Sequence, residues 1–310
     1  MCKVTISAFQ LLEKFPNEES ARLHIERIRW NGKPVCPRCN ADTKQYPQNR
    51  KNKPGYYECS VCELVYTVRT GTIFERSHIP LHKWLFAMYL FCTARKGVSS
   101  LQLSKELGIG QNSAWFLLKR IRVACEDDNA GIKFLSGIIE SDETFIGGIE
   151  SNKHDSKKTN DGQRGSVGKT VVLGMRERGG KTKLEVIPHT GIIIKKRVRQ
   201  SVTEGSTLCT DTLHSYKNMP EYNHLTVKHS AKQYVDGMAH TNGVESVWAV
   251  LKRAFYGTYH SFSKKHMTLY LNEVCFRLNS GNVEIHTLDR MDSLISMCFG
   301  KRLKWVEVTA

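Results

Sequence analysis

The sequence predicts a mixed α/β core preceded by a small metal-linked module and a helical segment. Three observations predict it: two C-x2-C motifs near the start, a helical pattern in the middle, and five short β-rich runs after it. The chain has 310 residues, of which 40% are hydrophobic and 25% charged. That length corresponds to roughly two domains, and that apolar content can fill real cores, which excludes wholesale disorder. The most apolar run, Trp84 to Cys92, is nine residues long, about half of what a bilayer helix needs, so no membrane span is expected. Glu13, Glu18 and Glu19 follow a short apolar patch at the start, which is not a signal-peptide layout. The expected setting is a reducing cytosol, where paired cysteines read as metal ligands before disulfides.

Cys36-Pro-Arg-Cys39 and Cys59-Ser-Val-Cys62 are separated by nineteen residues. Each knuckle places two sulfurs on one side of a tetrahedral zinc ion, and the spacing is that of a zinc ribbon. Tyr56, Tyr57 and Glu58 read as a strand leading into the second knuckle. A redox dithiol needs only one knuckle. The other six cysteines are scattered and read as packing residues. Before the ribbon, Ala21, Leu23, Ile25 and Ile28 among charges predict a helix over Glu18 to Arg29.

Residues 80–127 read as helical, with breaks at Lys96-Gly97 and Leu107-Gly108. Ser99 or Ser100 can cap a short helix carrying Leu101, Leu103 and Leu107. A second helix begins near Gln111-Asn112-Ser113, presents Trp115, Leu118 and Ile121 on one side, and closes with Lys119, Arg120 and Arg122. Two short helices joined by a glycine turn match a helix-turn-helix, whose second helix reads bases with its first turn. A plain helical hairpin is the ordinary alternative. Gln111, Asn112, Ser113, Lys119 and Arg120 are the expected DNA contacts.

Strand-like runs follow at 134–139, 170–176, 183–188, 206–210 and 224–228, with a polar loop at 149–168, and helices return from about 242 to Asn279. Asp142 ends the run FLSGIIESDETFIGG, Asp211 ends STLCTD, and Glu245 lies in the helical HTNGVESVWAVLKR. Two strand-borne aspartates and a helix-borne glutamate can converge on a pair of divalent cations about 3.5–4 Å apart that clamp both oxygens of a phosphodiester exchange. Carboxylates suit Mg2+ (or Mn2+), a hard ion that prefers oxygen. Asn242 lies one turn before Glu245 on the same face, and Lys252, next to Arg253, two turns after it, where a cation can steady a DNA phosphate. Acidic residues at strand ends are also ordinary turn residues. Glu140, on the face of Asp142, and Glu143, on the other, read as structural. His214, His229 and His240 lie nearby in the pattern.

The order of these features resembles bacterial insertion-sequence transposases of the DDE class, the insertion sequence 1595 family in particular. The phrases that carry it are CPRC with CSVC, TGTIFERSHIPLHKW, ESDETFIGG, TDTLHSY and HTNGVESVWAVLKRAFYGTYHSFSKKH, which span most of residues 15–280. The resemblance implies a ribonuclease H-like core, a mixed five-stranded sheet flanked by helices. It also implies metal-dependent cutting and joining of double-stranded DNA at terminal inverted repeats, and insertion into target DNA. By position, Asp142, Asp211 and Glu245 become the magnesium ligands, with Asn242 auxiliary or water-orienting. The expected organisation is an N-terminal helical segment (1–33), a zinc ribbon (34–75), a helix-turn-helix segment (76–130), the transposase domain (131–280) and an unassigned tail (281–310).

A formal charge of +16, from 46 basic and 30 acidic residues, agrees with a polyanionic partner, although a merely soluble basic surface also accounts for it. Residues 150–200 hold thirteen Lys or Arg against five Asp or Glu, which places half of the excess on and beside the loop after the first acidic strand. There it is expected to follow DNA backbone, with salt-sensitive binding. The expected protein is a bacterial, cytoplasmic, nucleoid-associated transposase that forms a homodimer or larger assembly on DNA. A non-catalytic regulator built on the ribbon and helix-turn-helix, or a structure-selective nuclease with no joining step, are the alternatives.

Overall fold

Capping residues set the first two helices. In α1 (Ala8–Lys14) and α2 (Glu18–Trp30), Ser7 with Gln10 and Asn17 with Ser20 form reciprocal capping boxes. α2 ends at Asn31, which takes the left-handed conformation with φ of 47°, close to the boundary expected from periodicity. The computed structural model describes residues 5–50, 53–147, 154, 156, 169–188, 191–211, 216, 218–227, 240–260 and 263–309. They fall into two compact units, Met1–Cys125 with Ser280–Ala310, and Glu126–Asn279.

In the first unit, β1 (Gln45–Arg50), β2 (Lys53–Cys59) and β3 (Val65–Thr67) form an antiparallel sheet in that order. The apolar run at 84–92 becomes α3 (Leu81–Thr93), which buries Trp84, Leu85, Met88 and Phe91. α4 (Ser100–Leu107) is capped by Ser99, whose side chain accepts from the Gln102 N–H at 3.1 Å, and it stops at left-handed Gly108. α5 (Gln111–Ala124) follows.

The second unit is built on β4 (Ile138–Ile146), β5 (Thr170–Glu177), β6 (Thr182–Ile187), β7 (Thr207–Asp211) and β8 (Asn223–Val227) in the order β6-β5-β4-β7-β8. The first three are antiparallel neighbours, while β4, β7 and β8 run parallel. Ile139, Leu173, Met175 and Leu208 pack on one face with Ile194 and Val198 of α6 (Gly191–Ser201) and with Tyr216. Val172 and Leu184 face the other way, onto Val244, Val247 and Leu251 of α7 (Asn242–Ala254) and Leu271 and Val274 of α8 (Met267–Leu278).

One strand expectation needs correction. β4 starts four residues later than expected and runs on to Ile146, so Asp142 lies in mid-strand; its polar residues are tolerated because Glu140 and Ser141 find partners in Arg178 and Tyr216. α6 lies between the strand-like runs expected at 183–188 and 206–210. The helical region expected from about 242 to Asn279 holds α7 and α8, with a π-turn at Phe255–Tyr259, left-handed His260 and a 3-10 turn at Lys264–His266 between them.

Residues 281–310, unassigned from sequence, belong to the first unit. α9 (Thr287–Ser296) is tied there by Arg290, which donates to the Cys92 carbonyl at 2.7 Å, and by Asp292, 2.7 Å from His24 of α2. α10 (Trp305–Thr309) sets Trp305 edge-on to Trp115 and Phe116 of α5. Among the described residues, no helix is long and apolar enough to cross a membrane. The loop expected at 149–168 lies outside the described residues except for His154 and Ser156, as do His214 and His229.

Candidate active site

The two cysteine knuckles fold alike. The Asn40 N–H donates to the Cys36 carbonyl and the Glu63 N–H to that of Cys59, each at 2.9 Å. Asn40 and Glu63 both take left-handed φ, 57° and 58°. The turns bring the sulfurs of Cys36, Cys39, Cys59 and Cys62 within 4.8 Å of one another. Burial opposes ionisation of Cys59, but the backbone of Cys62 and Val61 and the sulfurs of Cys39 and Cys36 overcome it and draw its pKa down to about 6. The Ala41 backbone favours the Cys39 thiolate, yet burial and the three other sulfurs push that thiol up to about 12. Four converging sulfurs that cannot all ionise alone are the donor set that a zinc ion satisfies.

In the second unit, the parallel pairing of β4 with β7 runs Ile138↔Thr207, Ile139↔Leu208 and Glu140↔Cys209. The pairing ends there, and Asp142 and Asp211 each lie two residues beyond its last pair, on β4 and β7 respectively. Glu245 lies one turn into α7, exposed, and accepts from the Thr241 hydroxyl at 3.1 Å. Burial raises the Asp142 pKa above the ordinary carboxylate range, the charges of Asp211 and Glu245 raise it further, and a hydrogen bond from Trp248 opposes the rise. The three carboxylates therefore share one electrostatic neighbourhood. Among the described residues, however, only the four cysteines bring one ligand atom each within 4.8 Å of all the others. Asn242 is exposed at the start of α7, and Lys252 and Arg253 are exposed in its last turn.

Glu140 is buried and Glu143 half-buried, and each has partners. Glu140, 1% exposed, accepts from Arg178 Nε at 2.7 Å and from the Val244 N–H at 2.9 Å. It thereby occupies the positive end of α7. Arg178 also donates to the His240 carbonyl at 2.9 Å, and Arg176 to that of Gly243 at 2.8 Å. A Cβ at Gly243 would stand 2.6 Å from Glu140 Oε2, so glycine is what admits the carboxylate. Glu143, on the opposite face, takes the Tyr216 hydroxyl, which also meets Ser141 Oγ at 3.1 Å. Burial, joined by the charges of Asp142 and Asp211, pushes Glu143 up to about 7 against the Tyr216 hydrogen bond.

The expected DNA contacts of the first unit separate into two groups. Gln111, Asn112 and Ser113 are exposed at the start of α5. Lys119 and Arg120 are 1% and 8% exposed and are not surface groups. The Lys119 ammonium sits 5.2 Å from the Trp115 ring centre, while Arg120 lies over Phe116 and donates to the Ile73 carbonyl at 2.9 Å. Surrounding aromatic rings and a buried carbonyl turn these cations inward, which corrects the reading of them as DNA contacts. Sequence reasoning also missed Arg178 and Trp248. The one available signal was Gly174 inside an apolar strand, a mark of close approach by another group.

The chain thus joins a cluster of four cysteines to a mixed five-stranded sheet that carries acidic residues on two neighbouring strands. Residues 134–279 match the family model of the ISXO2-like transposase domain, and residues 16–64 match that of the transposase zinc-ribbon domain. The chain belongs to the insertion sequence 1595 family of transposases. It is 27% identical over 273 residues, 84% of this chain and 90% of the relative, to an uncharacterized protein in transposable element ISH50 of Halobacterium salinarum.

Proposed function

We propose that this chain is a DNA transposase that binds the terminal inverted repeats of its element and cuts and joins DNA by a two-metal mechanism. The observation that carries it is that the neighbouring parallel strands β4 and β7 carry Asp142 and Asp211, and that the charges of Asp211 and Glu245 both bear on Asp142. The strand order, three antiparallel strands followed by two parallel ones, supports a ribonuclease H-like core. Magnesium ions held there supply the positive charge that activates the attacking oxygen and stabilises the departing one. Asp142, Asp211 and Glu245 hold the cations, and Asn242 sits beside Glu245 to complete the set or orient water. Lys252 and Arg253 pair with DNA phosphates. In the first unit, α4 and α5 act as a helix-turn-helix in which Gln111, Asn112 and Ser113 meet base edges. Holding two element ends together calls for a homodimer or larger assembly on DNA.

The test uses repeat-end oligonucleotides with magnesium and a target duplex. Wild-type protein yields nicked ends and joined products, and Asp142→Ala or Asp211→Ala yields neither. Variants that cut as well as wild type refute the mechanism, and ends that are cleaved but never joined assign a nuclease instead.

A further inference from the structure

Asp142 pairs across the antiparallel ladder with Gly174. That glycine interrupts the apolar run of β5, where a residue without a side chain weakens the strand. Its backbone does not demand glycine, because φ there is not in the left-handed range. Space demands it. A Cβ at Gly174 would lie 2.4 Å from Cη2 and 2.7 Å from Cζ2 of Trp248, and 3.1 Å from Cγ2 of Val244. The indole occupies that room, 5% exposed, and its Nε1–H donates to Asp142 Oδ2 at 2.8 Å.

An indole N–H only donates, so Trp248 cannot ligate a cation. What it does is engage one oxygen of Asp142, Oδ2, and leave the other outside this bond. A rigid ring wedged between the strand and α7 holds that choice more firmly than a flexible donor, because the packing that fixes the ring also fixes the carboxylate. Groups of this kind that hydrogen-bond to metal-bound carboxylates orient them and tune their affinity.

We propose that Gly174 and Trp248 form a positioning device for Asp142: the glycine opens the space, and the indole fills it and fixes which carboxylate oxygen is presented to the cation. The inference rests on the proposed role of Asp142 as a cation ligand. Trp248 is a positioning residue, acting through Asp142.

The test uses the full chain labelled with 15N-tryptophan, whose five tryptophans each contribute one indole N–H resonance. The resonance lost in Trp248→Phe is the one that moves in Asp142→Ala, before any magnesium or manganese is added. Mn2+ binding is then followed by electron paramagnetic resonance. Trp248→Phe keeps a ring in place without the donor, and Gly174→Ala keeps the donor but displaces the ring. Each weakens Mn2+ binding by about tenfold, the lower end of what loss of such outer groups costs. Each also lowers kcat for end cleavage with KM for DNA unchanged. Should Trp248→Phe not fold, Gly174→Ala carries the same reading. An Asp142→Ala protein in which that indole resonance stays in place overturns the inference. Mn2+ binding that is lost in Asp142→Ala but unaltered in Trp248→Phe and Gly174→Ala overturns this inference alone. Wild-type protein that binds no Mn2+ overturns the proposed function with it.

Discussion

Replacing Glu143 with glutamine should make the protein more stable at neutral pH, although it alters a half-buried, hydrogen-bonded residue. Burial, with the charges of Asp142 and Asp211, holds the Glu143 pKa at about 7 against an ordinary value of 4.5. Below pH 4.5 the carboxyl is protonated in both folded and unfolded chains and contributes no difference. Between 4.5 and about 7 the unfolded chain ionises while the folded one keeps its proton, so the unfolded state binds fewer protons and stability falls as pH rises. At about 1.4 kcal/mol for each pH unit, the loss reaches about 3 kcal/mol and is complete above pH 7. Glutamine stays neutral, and its carbonyl oxygen still accepts the Tyr216 hydroxyl. The stability of wild type relative to Glu143→Gln should therefore decline by about 3 kcal/mol between pH 4.5 and 8. Urea unfolding of both proteins, followed by circular dichroism without added magnesium, measures it. Parallel stability profiles across that range would refute the reasoning.

Other outcomes follow from the same geometry. Arg178→Ala leaves Glu140 buried without its guanidinium, and should cost about 3–5 kcal/mol of stability in urea titrations; a loss below about 1 kcal/mol would mean that the Val244 N–H and His240, 3.2 Å away, suffice. Stripping zinc with a strong chelator should collapse the ribbon and change the emission of Trp30, which packs edge-on against Tyr57 and Tyr66 with ring centres 5.3 and 5.8 Å away; unchanged emission on release of the metal would contradict a structural role. Gln111→Ala and Asn112→Ala should weaken binding to repeat DNA by about 1–3 kcal/mol each, as loss of a base contact does, at unchanged melting temperature. Lys119→Ala should instead lower the melting temperature, and a variant that melts as wild type but binds DNA poorly would restore Lys119 as a surface contact.

Much of the fold was legible because local patterns carry it. Four of the five strands of the second unit begin and end within one residue of where the apolar runs place them. α2 follows its periodicity to within one residue, and Ser99, one of the two serines expected to cap α4, does so. The exceptions have physical causes. β4 continues through a polar stretch because Arg178 and Tyr216 satisfy its buried Glu140 and Ser141, and such partners are far off in sequence. Lys119 and Arg120 read as surface cations until aromatic rings and the Ile73 carbonyl are seen around them. The tail at 281–310 lacked a motif because its role is packing, and Arg290 and Trp305 act through contacts with residues more than a hundred positions away.

The sequence by itself determined the chemistry on offer: two cysteine knuckles whose spacing selects a tetrahedral metal, and acidic residues on two strands and a helix whose order marks the transposase family. Spacing along the chain is enough for these, since a knuckle is a local turn and a strand alternates its faces. Only the tertiary structure decided which carboxylates stand together and what holds them. β4 lies parallel beside β7, so that Asp211 bears on Asp142, Glu140 holds the first turn of α7, and the missing side chain at Gly174 lets Trp248 reach Asp142. Each of these is a contact between segments distant in sequence, and no local periodicity records a contact of that kind.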